Sequence, residues 1–133
     1  MPIAVDGATA DTALFLLLGA LRSFGPAQAA LRAGTFNAGL PLSNDPKGKL
    51  LGIVGMGGIG RAFATRARAV GMDVQYYNRT RLSPELEQGA KYVGFEELLT
   101  TSDVVSLNLP LNAKTKHIIG TKEFEKIGRA SCR

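Results

Sequence analysis

Three glycines constrain this chain more than any other feature. They stand in Gly55-Met56-Gly57-Gly58-Ile59-Gly60, a G-x-G-x-x-G pattern. An apolar run, Leu50 to Val54, leads into it, and a helical pattern, Arg61 to Val70, leads out. Placement between a strand and a helix lifts a short glycine motif well above its usual weak standing. Each glycine has its own steric reason. Gly55 lets the chain turn sharply off the strand, Gly57 leaves room for a pyrophosphate against the backbone, and Gly60 lets the helix pack close to the sheet. The free N–H groups of Gly58 and Ile59 open the helix and point at the phosphates, helped by the helix dipole. A plain tight turn between strand and helix is the bland alternative, and it needs fewer glycines.

With 133 residues, 45% hydrophobic and 20% charged, the chain has room for one domain with a real core. Sixteen basic against eleven acidic residues give a net charge of +5, which invites a nucleic-acid reading. The basic residues form no single block, however. Several cluster near the expected cofactor, at Arg61, Arg66, Arg68, Arg79 and Arg81, so no nucleic-acid partner is expected. Cys132 is the one cysteine, so no internal disulfide can form, and a reducing, cytoplasmic setting is expected. The apolar run Ala13 to Leu21 is too short to span a bilayer. Asp6 and Asp11 precede it where a signal peptide would be basic, so no membrane partner is expected.

Residues 1–8 read as irregular. Thr9 or Asp11 can cap a helix that runs through Phe24, where Gly25-Pro26 should kink or restart it. The helix should resume to Arg32 and end at Gly34. Leu14, Leu17, Leu18 and Leu21 make one apolar face, and Phe15 and Leu16 extend it nearly all round. Such a helix is expected to be covered on every side, by the sheet on one and by a missing partner on the other; a terminal helix with some exposed leucines is the bland alternative. A connector rich in Gly, Pro and Asn follows to Lys49. After the glycine turn and its helix, Gly71 should act as the helix stop, and Asp73 to Tyr77 reads as the second strand.

The end of that strand carries information. In dinucleotide folds an acidic residue roughly 20 positions past the glycines takes the adenosine ribose. Here that place holds Asn78, followed by Arg79, Thr80 and Arg81. Asn78 does not repel a 2′-phosphate, Arg79 and Arg81 can pair with one, and Thr80 can hydrogen-bond to it. NADPH is therefore favoured as cofactor, with NADH possible. A solvated basic turn is the alternative. Further on, Ser83 and Pro84 start a short helix, Lys91 to Val93 is a strand, Phe95 to Thr101 a helix, and Asp103 to Leu107 a Val-rich strand. Leu109 and Pro110 leave its carboxyl end, where they can wall the adenosine side, and Thr115 can reach the ribose or phosphates. Thr121 caps a last helix, Lys122 to Lys126. The sum is α/β: a doubly wound parallel sheet, incomplete at about four strands, after a long apolar helix. The fourth strand should keep one unpaired side.

The segments Ala8-Thr9-Ala10-Asp11-Thr12-Ala13, Gly55 to Gly60, Val105 to Leu111 and Thr115-Lys116-His117-Ile118-Ile119 resemble the Rossmann-type nucleotide-binding domain of the D-isomer-specific 2-hydroxyacid dehydrogenases. Tyr77 to Pro84 resembles the NADPH-leaning glyoxylate or hydroxypyruvate reductase branch. The resemblance implies that Gly58 and Ile59 meet the pyrophosphate, and that Asn78, Arg79 and Thr80 hold the adenosine end. It also implies that Leu109, Pro110 and Thr115 line the groove, that the first helix packs in a homodimer, and that the parent takes a small 2-keto or 2-hydroxy acid.

In that family an arginine grips the substrate carboxylate, and a histidine backed by a glutamate supplies the proton. None has a counterpart expected here. The one histidine, His117, reads as structural, no catalytic residue and no metal ligand is assigned, and the chain itself is expected to be an inactive fragment. Residues 1–36 read as an inter-domain or dimerisation helix, 37–49 as the connector and 50–126 as a partial nucleotide-binding domain. Residues 127–133 fit neither the resemblance nor a helix continuation. One reverse translation of them matches a common sequencing-adapter DNA, so they are expected to be an artefactual tail. Two other readings stay open: a nucleotide-gated scaffold of the corepressor type, and a methyltransferase, which would ordinarily want an acid where Asn78 stands.

Overall fold

A computed structural model describes residues 3–35, 39–40 and 42–130. Its centre is strand β1 (Leu50–Val54), buried from Leu51 onward. β1 pairs in parallel with β2 (Asp73–Tyr77) on one side and with β4 (Val104–Leu107) on the other. β3 (Lys91–Tyr92) pairs with β2, so the order is β3-β2-β1-β4. Ile53 lies beside Tyr76 and Ser106 in register. A central parallel strand has both faces covered, so it reads as an unbroken apolar run.

Helices cover both faces. On one, α1 (Ile3–Leu21) and α3 (Gly58–Ala69) bury Ala10, Leu17, Phe63, Ala64 and Ala67 against Leu51, Ile53 and Tyr76. On the other, α5 (Phe95–Thr101) brings Leu98 and Leu99 onto Val54 and Val93. Gly52 makes that second packing possible. A Cβ there would run into the Ser102 hydroxyl and come within 2.7 Å of the Leu98 side chain. The architecture is the expected doubly wound parallel sheet preceded by a helix.

The first helix corrects the sequence reading at both ends. It starts at Ile3, so the irregular stretch expected for residues 1–8 is helical from that point. Asp6 lies in its first turn, where the helix dipole favours a carboxylate, and Gly7 costs only about 1 kcal/mol relative to alanine. Thr9 and Asp11 are interior positions, not caps. The break falls at Ser23, in left-handed conformation (φ 51°, ψ 42°), ahead of Gly25-Pro26. α2 (Phe24–Arg32) then leaves at a bend of 70°. Pro26 is its third residue, where a helix N–H has no partner to lose, so the proline suits the start of a helix. Gly34 follows α2 at φ 70°, and Gly71 follows α3 at φ 82°, both as helix stops.

α4 (Pro84–Glu87) begins behind Ser83 as expected. α6 spans Thr121–Ala130 and passes the expected end at Lys126. Ile127 packs beside the second core cluster, and Lys126 pairs with Glu96 of α5 at 2.9 Å. The expectation that residues from 127 do not continue a helix is thus wrong as far as Ala130. Cys132 and Pro41 lie outside the described residues. No single helix among those described is long and apolar enough to cross a membrane.

Candidate cofactor site

The site is built at the carboxyl ends of β1, β2 and β4. Gly55 leaves β1 at φ 101°, and a Cβ on it would stand 2.5 Å from the Asn108 carbonyl oxygen. Gly60 presses on the Gly55 carbonyl and sits 3.3 Å from Ile53, measured from where its own Cβ would be. Gly57, the N-cap of α3, would direct a Cβ into open space. The turn is tied to its neighbours: Gly55 N–H donates to the Tyr77 carbonyl (3.0 Å) and Asn108 N–H to the Val54 carbonyl (2.8 Å).

Among the described residues no side chain caps α3, so its first amides, those of Gly58 and Ile59 among them, are open to an anion. One carboxylate is already close. Asp6 of α1 fills the space over Gly58 that a side chain there would take. The sequence carries no signal for it, since nothing in residues 1–8 marks a helix start at Ile3.

The turn after β2 is fixed at both ends. Asn78 Oδ1 accepts a hydrogen bond from Met56 N–H (2.7 Å), and the Asn78 carbonyl accepts one from the Tyr92 hydroxyl (3.2 Å). Arg79 and Thr80 are exposed and line a cleft of about 530 Å³. Leu109, Pro110 and Thr115 face them across it, as the sequence suggested, together with Asn112 and Lys114. Lys114 was not foreseen. A lysine in a polar turn carries no periodic signal, and only the turn's geometry brings it to the cleft.

Two residues behave differently from expectation. Thr115 donates its hydroxyl to the Pro110 carbonyl (2.6 Å) and accepts from Asn112 N–H (2.9 Å), so it closes its own turn and has no donor to spare for a ribose. Arg81 does not line the cleft. Its Nε donates to Glu87 at 2.8 Å, and its guanidinium lies 5.8 Å from the centre of the Tyr92 ring. Glu87 is buried and also accepts from the buried Tyr76 hydroxyl at 2.7 Å. The hydrogen bond from Arg81, and then that from Tyr76, hold the Glu87 carboxyl below its usual range. Burial, and then the bond to Glu87, push the Tyr76 hydroxyl up.

His117 is exposed in the turn after β4 at φ 57°, and none of the hydrogen bonds or ion pairs among the described residues involves it. A larger hollow of about 680 Å³ lies between α1 and the open side of β4, among Thr12, Leu16, Leu17 and Val105. It is mostly apolar, and at one end it reaches Asn108, whose carbonyl stands against Gly55.

A parallel sheet of order β3-β2-β1-β4, with a glycine turn at the end of its first strand and an uncapped helix behind it, defines a Rossmann-type nucleotide-binding domain. Comparison with known proteins makes the assignment specific. The family model described as "D-isomer specific 2-hydroxyacid dehydrogenase, NAD binding domain" matches residues 14–132. The chain therefore belongs to the D-isomer-specific 2-hydroxyacid dehydrogenase family. The match extends into residues 127–132, which the sequence reading had set outside the resemblance.

Among curated relatives, 4-methyl-2-oxopentanoate reductase A of Aspergillus oryzae is 60% identical over 126 residues, 95% of this chain and 38% of that protein. Glyoxylate reductase 1 of Saccharomyces cerevisiae is 46% identical over 133 residues, 96% of this chain and 38% of that protein. The crystal structure of a glyoxylate reductase from Paecilomyes thermophila superposes with a TM-score of 0.91 at 60% identity, over 95% of this chain and 38% of that one. The chain thus spans little more than a third of the length of these relatives.

Proposed function

We propose that this chain forms the cofactor-binding part of a reductase that uses NADPH to reduce a small 2-keto acid, with glyoxylate or hydroxypyruvate as the type of substrate. The observation that carries the reading is the turn after β2. It presents Arg79 and Thr80 to the cleft and has a neutral asparagine where an NADH-binding fold wants an acid. The residues fit a dinucleotide: open amides at α3 for the pyrophosphate, an unobstructed Gly57, and the apolar pair Leu109 and Pro110 for the adenine side. When bound, the nicotinamide supplies the hydride. The chain's own part is to hold and orient it. The names of the relatives, glyoxylate reductase and 4-methyl-2-oxopentanoate reductase, agree with a 2-keto acid and leave its side chain open.

The 133-residue chain alone should bind without turning over, since no carboxylate among the described residues pairs with its exposed His117 to make a proton donor of the family's kind. Dimerisation through α1 belongs to the same proposal, supported by the exposure of Phe15 and Leu16 on its outer side.

Calorimetric titration tests the cofactor reading. NADPH should bind about tenfold to a hundredfold tighter than NADH, the worth of one charge-assisted hydrogen bond. Arg79→Ala should erase that margin and leave NADH binding unchanged. Equal affinities in the unaltered chain would sink the NADPH assignment, and binding of neither would sink the site.

A further inference from the structure

We propose that Glu87 is a positioning residue for 2′-phosphate recognition: it holds Arg81 and Tyr76 behind the turn, so that Arg79 and Thr80, not Arg81, meet the phosphate. This rests on the cofactor reading above and deepens it.

The turn after β2 is clamped on either side of the two exposed residues. Before them, Asn78 is held by the Met56 amide and the Tyr92 hydroxyl. After them, Arg81 binds Glu87 through two nitrogens (2.8 and 3.3 Å), and Leu82 N–H donates to the Tyr76 hydroxyl (3.1 Å). Tyr76 in turn donates to the same Glu87 oxygen that Arg81 Nε uses. Tyr76 is fully buried in the middle of the sheet, 5.3 Å ring to ring from Tyr92. Glu87 therefore ties an exposed arginine to the buried core. Between the clamps, the side chains of Arg79 and Thr80 make no hydrogen bond to any described residue and face the cleft.

A recognition loop held in its bound shape loses less conformational entropy when the ligand arrives. Glu87 supplies that preorganisation at a distance. Its carboxylate is anionic and would repel a phosphate it faced directly, but both its oxygens are occupied by Arg81.

The test uses the adenosine end of the cofactor alone. The chain is titrated with adenosine 2′,5′-bisphosphate and with 5′-AMP, and the ratio of affinities is read. Glu87→Gln should lower the preference for the bisphosphate about tenfold while 5′-AMP binding stays within about twofold. Arg81→Ala, which removes the exposed partner of the pair, should do the same. The double variant should be no worse than either single one, because Arg81 acts through Glu87. A further loss in the double variant would mean that Arg81 meets the phosphate itself and would overturn the proposal. So would an unchanged or raised preference in Glu87→Gln, or an equal loss for both nucleotides. Failure of the unaltered chain to bind either probe would overturn the cofactor reading, and this inference with it.

Discussion

At the scale of single residues, the three glycines of the turn separate folding from binding. Gly55 has a left-handed φ and a carbonyl oxygen where a Cβ would go. Gly55→Ala should therefore lower unfolding free energy by about 2 kcal/mol or more, seen as an earlier urea midpoint. Gly57 has φ −76° and ψ −158°, which an alanine adopts, and open space around it. Gly57→Ala should leave the urea midpoint where it is and weaken dinucleotide binding. If both variants lose stability alike, the open space at Gly57 is not a ligand's. Asp6 gives a second prediction. Its carboxylate stands against Gly58, in the first turn of α3. Asp6→Asn should tighten NADPH binding about fivefold in calorimetry, by removing a like charge from the helix end. Weaker binding would show that Asp6 supports the site. The turn and packing roles of Gly55 and Gly60 were legible in sequence, because the motif stands between an apolar run and a helical pattern. The different surroundings of Arg79 and Arg81 were not. Two arginines two positions apart look equivalent until Glu87, six positions after Arg81, takes one of them.

At the scale of elements, local rules located the four strands and α5 to within a residue, while α6 runs four residues past its expected end. β1, β2 and α5 begin and end where their apolar runs and glycines place them. The misreadings fell at helix ends. Gly25-Pro26 looked like the break, yet a proline inside the first turn costs a helix nothing, and the chain broke at Ser23 instead. The join between β2 and α4 makes a prediction about acid stability. Glu87 has its folded-state carboxyl held below the usual value of 4.5, first by Arg81 and then by Tyr76. As pH falls below that value, the unfolded chain takes up the proton before the folded one does. The network's contribution is therefore complete at neutral pH and is lost as pH drops through the lowered folded-state value. Thermal melts between pH 7 and pH 3 should show a shallower acid limb for Glu87→Gln than for the unaltered chain. Parallel acid limbs would show that this network contributes nothing to pH dependence.

At the scale of the whole molecule, the sheet has two edges among the described residues. β3 makes one of only two residues, while β4 makes the longer one, with β1 as its neighbour, and Leu107 at its end is half exposed. The hollow next to β4 is walled by α1, whose outer side shows Phe15 and Leu16, each 62% exposed. The sequence announced this, since a helix with leucines nearly all round cannot be satisfied by one sheet face. It could not say which side would stay bare. The structure puts Ala10 and Leu17 inside and leaves Phe15 and Leu16 out. A bare strand edge beside an apolar helix face is a surface that associates. The chain should therefore sediment as a concentration-dependent mixture of monomer and larger species. Phe15→Lys with Leu16→Glu should shift it towards monomer with little change in melting temperature, because neither side chain is part of the core. A single monomeric species at all concentrations, melting sharply and reversibly, would show that the open edge and the helix face need no cover. The dimer proposed through α1 would then lose its physical basis.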